Sequence, residues 1–273
     1  MRTRFAPSPT GRLHLGHAFA ARVAHDAARE AGGEFFLRFE DIDHTRVREP
    51  FYVAIEEDLR WLGLEWDGIP WRQLDRLKDY DAALSQLKKK GVLYPCTCTR
   101  REISAAMAEL GAPHGKPHKD YPGTCRHRLG ENPDGPVAWR LHAERAAELV
   151  GKLTFTDLRF GPIEVDPLVH GDVVLARKDI ATSYHLAVTV DDAAQKVTRV
   201  TRGEDLLSST HIHRVLQALL GLPEPEYEHH RLIVDEDGKR LATRDKARTI
   251  KELRGKGWSV VEVWEAVGWV DPV

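Results

Sequence analysis

The period of the hydrophobic positions changes several times along this chain, and each change marks an element. Arg2 to Ala6 is too short for a period to decide, but it feeds a turn rich in Gly and Pro, as a strand does. Ala18 to Ala31 is alanine-rich and free of Pro and Gly, which predicts a helix that Gly32 and Gly33 terminate. Glu34 to Phe39 mixes aromatic and aliphatic residues at strand density and closes in the acidic stretch Glu40 to Asp43. Strand, loop, helix and strand in that order predict a parallel sheet, with ligands at the carboxyl ends of its strands.

Two helical faces follow. Ile55, Leu59 and Leu62 share one, and Tyr80, Leu84 and Leu87 the other, with Gly91 as the stop of the second helix. At Tyr94 the composition shifts. From there to about Gly171 come the cysteines, much of the histidine and short β-like pieces such as LTFTDLRFG, which predict an inserted domain. The sheet is expected to resume with SYHLAVTVDD and KVTRVTRGEDLL. A helix is predicted over Thr210 to Leu220, with Ile212, Val215, Leu216 and Leu219 on one side and Gly221 after it. RLIVDEDG reads as a strand, KRLATRDKA as a basic loop, and Ser259 with Glu262 at capping-box spacing opens a closing helix. There is no internal repeat and no low-complexity segment.

Composition changes this picture little. The chain has 273 residues, 42% of them hydrophobic and 30% charged, enough for a sizeable core in one large or two smaller domains. No apolar run is long enough to cross a bilayer and no signal-peptide core is present, so a cytoplasmic protein with no membrane partner is expected. The net charge of -2 carries no global sign of a polyanion partner; only His114 to Arg128 and Lys239 to Lys256 are locally basic. Cys96, Cys98 and Cys125 fall in one short window, which argues for a metal site or free thiols rather than a disulfide scaffold.

The candidate chemistry begins at RFAPSPTGRLHLGH, Arg4 to His17. A turn containing Gly between a strand and a helix aims backbone N–H groups at one point, and the helix N-terminus adds partial positive charge. His14 and His17 place two imidazoles beside that anion site, and Arg4, Ser8 and Thr10 offer further donors. On its own, a His-x-x-His pair reads as a capped helix with incidental histidines. A second polar cluster, Glu40, Asp41 and Asp43 at the end of the next strand, puts carboxylates and anion donors into one crevice.

RFAPSPTGRLHLGH together with LRFEDID closely resembles the catalytic core of the class I glutamyl-tRNA synthetases, whose His-x-Gly-His tetrad binds ATP. The resemblance continues through WLGLEWDG, YPCTCTRREI, AVTVDDAAQKVTRVTRGEDLL and DGKRLATRD, and so spans most of the chain. It implies an α/β fold: a Rossmann-type parallel sheet in two halves, residues 1–93 and 172–235, an inserted zinc-containing α+β subdomain, 94–171, and a terminal loop and helical segment, 236–273. The chain ends soon after its basic loop, where a full synthetase continues into a helical anticodon-binding region. With the cysteine set, this ending is similar to the paralogues that attach glutamate to queuosine in the anticodon of tRNA(Asp) instead of loading the 3′ end.

Site roles follow residue by residue from that resemblance. His14 and His17 go to the ATP phosphates, with Thr10 and Gly16 beside them and Mg2+ as the companion ion. Arg4, Phe5, Ala6, Pro7, Ser8, Glu40, Tyr184 and Arg202 form the pocket for L-glutamate; an Arg clamps a carboxylate bidentately and Glu40 pairs with the ammonium. Cys96, Cys98, Tyr121 and Cys125 are the ligands of one structural Zn2+, with no position left open for water. His114, His118 or His127 could replace Tyr121 on chemical grounds, and an empty site is the alternative. In the basic loop RLATR, Arg240 to Arg244, Thr243 stands where the family has a lysine that steadies the leaving pyrophosphate. Losing such a cation costs a few kcal/mol, and Lys239, Arg240, Arg244 or Lys246 could substitute. The expectation is a monomeric ligase that takes ATP, L-glutamate and queuosine-containing tRNA(Asp). A minimal glutamyl-tRNA synthetase core and a non-catalytic binding paralogue are the other readings; a nucleotidyltransferase for another carrier would not account for Arg4, Glu40, Tyr184 and Arg202 together.

Overall fold

The structure, a computed structural model, describes residues 1–109, 121–234 and 248–269. The chain opens with strand β1 (Arg2–Phe5), helix α1 (Leu15–Glu30), strand β2 (Glu34–Phe39), helix α2 (Pro50–Trp61) and the short strand β3 (Trp71–Arg72). β1, β2 and β3 pair in parallel in that order, as the strand-helix-strand reading requires. Gly33 is demanded where α1 turns into β2: a Cβ there would stand 2.0 Å from the carbonyl oxygen of Met1.

Helix α3 (Leu77–Lys89) carries Tyr80, Leu84 and Leu87 inward and stops before Gly91, which has a positive φ of 67°. Next come β4 (Leu93–Cys96), α4 (Arg100–Glu109), β5 (Ala138–Leu141), α5 (Ala143–Val150), β6 (Thr154–Asp157), β7 (Gly161–Glu164) and β8 (Val174–Ala176). β4, β5 and β8 make a separate antiparallel sheet, and β4 brings in the first cysteine. The β6–β7 hairpin does not stay with that sheet. It joins β9 (Arg199–Gly203) and β10 (Glu226–His230) in the order β7-β6-β10-β9, with β9, β10 and β6 parallel.

SYHLAVTVDD is not a strand but helix α6 (Tyr184–Ala194). Leu186, Ala187, Val188, Thr189, Asp191 and Asp192 are all buried, so the helix shows no polar stripe. A short run buried on nearly every side reads alike as central strand or core helix. RLIVDEDG is displaced as well: the strand here is the polar EYEHH, β10, while Arg231 to Ile233 are irregular. The expected helix after β9 is α7 (Leu207–Leu220), closed by Gly221 in the left-handed region. The chain closes with α8 (Ile250–Gly255) and α9 (Val260–Ala266), each entered through a capping box, Thr249 with Glu252 and Ser259 with Glu262.

Among the described residues two large apolar cores result, beside a small cluster of Tyr94, Cys96, Tyr121 and Cys125. One joins α1, the β1–β2 sheet and α2 to Ile250, Leu253, Val263 and Trp264 of the closing helices. The other lies among α3, β5, β6, α6, α7 and β10. The two sheets meet at β1, where the Arg2 backbone N–H donates to the Thr198 hydroxyl at 2.8 Å and the Thr198 N–H donates to the Arg2 carbonyl at 2.9 Å. The chain runs from β1 to β2 and β3 on one side, and β9 and β10 lie on the other, so the carboxyl ends of β1 and β9 form a topological switch point. Among the described residues no helix is long and apolar enough to cross a membrane.

Candidate active site

A cavity of about 510 Å³ opens at the switch point, within the range of small-molecule sites. Phe5 lines it from the end of β1, Ala6, Pro7, Ser8, Thr10 and Gly11 from the turn that follows, His17 from α1, Glu40 from the end of β2, Tyr184 from the start of α6, and Arg202 and Gly203 from the end of β9. The residues named from the sequence thus come from five parts of the fold, β1 with its turn, α1, β2, α6 and β9, and converge on one crevice.

The irregularity of the turn is explained by its bonds. His14 is the N-cap of α1: its Nδ1 accepts the Gly16 N–H at 3.1 Å, and the His14 N–H donates to Nδ1 of His17 at 3.3 Å. Two imidazoles therefore do the work of a Ser–Glu capping box, with their rings stacked at 3.7 Å between centroids. Because both Nδ1 atoms accept, a neutral ring at either position carries its proton on Nε2, a donor suited to phosphate oxygen. Gly16 is used here through its own N–H on the cap. These bonds are the capped helix of the first reading, and its N-terminus faces the cavity that His17 lines.

Arg202 is the cavity's distinctive charge. It is buried, and its guanidinium donates Nε–H to Nε2 of His229 at 3.1 Å, Nη1–H to Nδ1 of His213 at 3.0 Å and Nη2–H to the Thr210 hydroxyl at 2.5 Å. All three partners are neutral acceptors, and among the described residues no carboxylate lies in ion-pair range of Arg202. Burial, then the nearby Arg202 cation, brings His229 down to about 4 and His213 well below the usual imidazole range, so neither ring carries charge at neutral pH.

Arg4 differs. It lines the cavity, but its fork grips Asp192, at 2.9 Å through Nε and 3.4 Å through Nη2, and its Nη1 donates to the Thr201 carbonyl at 3.1 Å. Asp192 is shared with the fully buried Arg38, 2.8 Å away, whose Nη1 also donates to Gln195 Oε1 at 2.8 Å. Neighbouring Asp191 accepts from Gln73, Arg76 and Tyr80 at 3.0, 2.7 and 2.8 Å. This network fixes α6 against β1, β2 and α3, and so holds Tyr184 and the Arg4 wall in place. Burial pushes the Glu40 carboxyl up to about 7, against the pull of Arg38 and Arg4. Asp41 and Asp43 separate from Glu40. Asp41 accepts from Tyr52 Oη and the Leu74 N–H at 2.7 and 2.9 Å, and Asp43 accepts from the Thr45 hydroxyl at 2.7 Å, so both brace loops and only Glu40 is on the cavity wall.

A second cluster sits on the β4–β5–β8 sheet. The Cys96, Cys98 and Cys125 sulfurs lie within 4.8 Å of one another, with Cys98 and Cys125 at 3.5 Å. The Tyr121 oxygen stands 3.4 Å from Cys96 and 3.7 Å from Cys98, and it accepts the Cys125 N–H at 2.9 Å. Four ligands around zinc at Zn–S of about 2.3 Å would be separated by roughly 3.5–3.8 Å, so this donor set fits a tetrahedral ion. Burial raises the Cys125 thiol, but hydrogen bonds, that of Tyr121 foremost, bring it down to about 7. His114, His118, Lys239, Arg240, Thr243, Arg244 and Lys246 lie outside the described residues.

Asp157, Thr210, His213, His229, Asp192 and Arg38 were not singled out from the sequence. Arg38 and Asp192 stand inside LRFEDID and AVTVDDAAQ, and a charged residue amid apolar neighbours was the available signal.

The family model described as tRNA synthetases class I (E and Q), catalytic domain, matches residues 1–268. A curated relative from Rhodobacter capsulatus, named glutamyl-Q tRNA(Asp) synthetase, is 50% identical over 98% of this chain and 100% of its own length. One of the same name from Nitratidesulfovibrio vulgaris is 43% identical over 94% of this chain and 82% of its own. A crystal structure of a glutamate tRNA ligase from Elizabethkingia meningosepticum, in complex with its amino acid, superposes with a TM-score of 0.76 at 31% identity. That match covers 90% of this chain, which spans only about half, 52%, of the ligase.

Proposed function

This chain belongs to the class I tRNA synthetase family of the glutamate and glutamine type, and on that premise we propose that it activates L-glutamate with ATP and transfers the glutamyl group to the queuosine base in the anticodon of tRNA(Asp). The observation that carries the amino acid is Arg202: a buried cation on the cavity wall whose protein partners are all neutral. A carboxylate satisfies it, whereas an amide would leave the charge uncompensated, which disfavours glutamine. Glu40 receives the ammonium on the same wall, and Tyr184 closes the pocket beside it.

In the first step an oxygen of the glutamate α-carboxylate attacks the α-phosphorus of ATP, the bond to the β,γ-phosphates breaks, and pyrophosphate leaves. Positioning and charge neutralisation carry such a transfer, and no side-chain base is needed. His17 and His14 donate toward the phosphates from the α1 N-terminus, whose dipole favours the same anion. Mg2+ bound with ATP would neutralise part of the triphosphate charge. In the second step the queuosine base takes the acyl group and AMP leaves.

The acceptor is tested with labelled glutamate and tRNA(Asp) bearing either queuosine or unmodified guanosine at the anticodon. Label is expected only on the queuosine form, and it should persist when the 3′-terminal adenosine has been removed. Label confined to an intact 3′ end would instead identify a glutamyl-tRNA synthetase core. Cys96, Cys98, Cys125 and Tyr121 would hold Zn2+ in a structural role, joining β4 to the Tyr121–Cys125 segment. One zinc per chain is expected by elemental analysis, and stripping it with a chelator should lower the melting temperature. A chain that purifies without metal and melts unchanged by chelator contradicts this.

A further inference from the structure

Arg202 is held by a chain of imidazoles whose tautomers are set by geometry. His229 accepts from Arg202 at Nε2, so its ring proton is on Nδ1, which donates to Oδ2 of Asp157 at 2.6 Å. His213 accepts from Arg202 at Nδ1, so its proton is on Nε2, which donates to Nδ1 of His185 at 3.1 Å. Asp157 is itself pinned, taking the N–H groups of Arg159 and Phe160 on Oδ1, each at 3.0 Å, and that of His229 on Oδ2 at 3.1 Å. Asp157 is thus kept one whole imidazole ring away from Arg202. Arg4, by contrast, grips Asp192 directly. Of the five guanidinium N–H groups of Arg202, His229, His213 and Thr210 take one each, which leaves one on each terminal nitrogen. A carboxylate can accept from such N–H groups.

We infer that His213 and the His229–Asp157 pair are positioning residues that set amino-acid specificity: they fix the orientation of Arg202 through neutral acceptors and so reserve its charge for the substrate's carboxylate. This rests on the reading of Arg202 as the glutamate clamp. A carboxylate in place of either ring would orient the guanidinium equally well, but it would also neutralise it. Orientation alone therefore does not account for imidazoles at both positions; charge reservation does.

The test compares His213→Asn with His213→Asp in tRNA-free ATP/pyrophosphate exchange, titrating glutamate and ATP separately. Asparagine keeps a neutral acceptor of the same reach, and aspartate keeps the shape but adds charge. The glutamate KM of the aspartate variant is expected to exceed that of the asparagine variant by about 50-fold. The ATP KM should agree within about twofold between the two, and glutamine should gain relative to glutamate in the aspartate variant only. Equal glutamate KM in the two variants overturns the inference, because charge at this position would then be immaterial. If aspartate at 213 prevents folding, Thr210→Asp against Thr210→Asn makes the same contrast at Nη2. Failure of the underlying reading looks different: the wild-type chain would then not exchange with glutamate at all.

Discussion

Glu40 illustrates what burial does to a single side chain. Its carboxyl is pushed up to about 7 by desolvation, so the pocket without substrate takes up a proton at neutral pH and must lose it to pair with an ammonium. The direction follows: below about 7 the carboxyl is neutral and the ion pair is missing, while above it the ion pair forms. The glutamate KM in pyrophosphate exchange should therefore rise about tenfold from pH 8 to pH 6, as the Glu40 carboxyl takes up its proton. Glu40→Gln should raise KM at both pH values and flatten the profile; a profile unchanged by that substitution would contradict the assignment. Glu40, His17 and Arg202 stand in short motifs, Tyr184 was reached through the family resemblance alone, and all four line the cavity. The residues that hold them were not legible, since Arg4 with Asp192 and His229 with Asp157 are bonds across the fold between distant parts of the sequence.

At the level of elements, the signals that could be read were terminators and caps. Gly32 and Gly33 after α1, Gly91 after α3, Gly221 after α7 and the Ser259 box before α9 all stand where the chain needs them. The helix α6 was not legible, because burial on nearly all sides erases the polar stripe that gives a helix its period. The box at Thr249 does more than start α8. Thr249 bridges to His14, and the Ile250 N–H donates to the Leu13 carbonyl at 2.8 Å, so the closing helices are tied to the turn before α1. Thr249→Ala removes the hydroxyl that accepts the Glu252 N–H at 3.2 Å and should cost about 1 kcal/mol. The expected outcome is a melting temperature lower by a few degrees and a raised ATP KM, with the glutamate KM unchanged. An unaltered melt would show that the cap contributes nothing to this tie.

Among the described residues a parallel sheet and a mixed one, parallel but for β7, abut at β1 and β9, and the cavity is what their divergence leaves open. The first strand-helix-strand unit was enough to expect a site at the strand ends, and a cavity lies there. How the rest of the chain returns was not legible: the β6–β7 hairpin leaves the region of the cysteines to pair with β10, a long-range choice that no local period records. The gathered site has one cation without a carboxylate partner among the described residues, and the central claim is that glutamate supplies that partner. The most direct measurement is amino-acid-dependent ATP/pyrophosphate exchange without tRNA, comparing glutamate with glutamine in the wild-type chain and in Arg202→Gln. The expected result is exchange with glutamate and not with glutamine in the wild type, and loss of the glutamate-dependent exchange by about 100-fold or more in the variant. Equal exchange with both amino acids, or a variant as active as the wild type, would contradict the account.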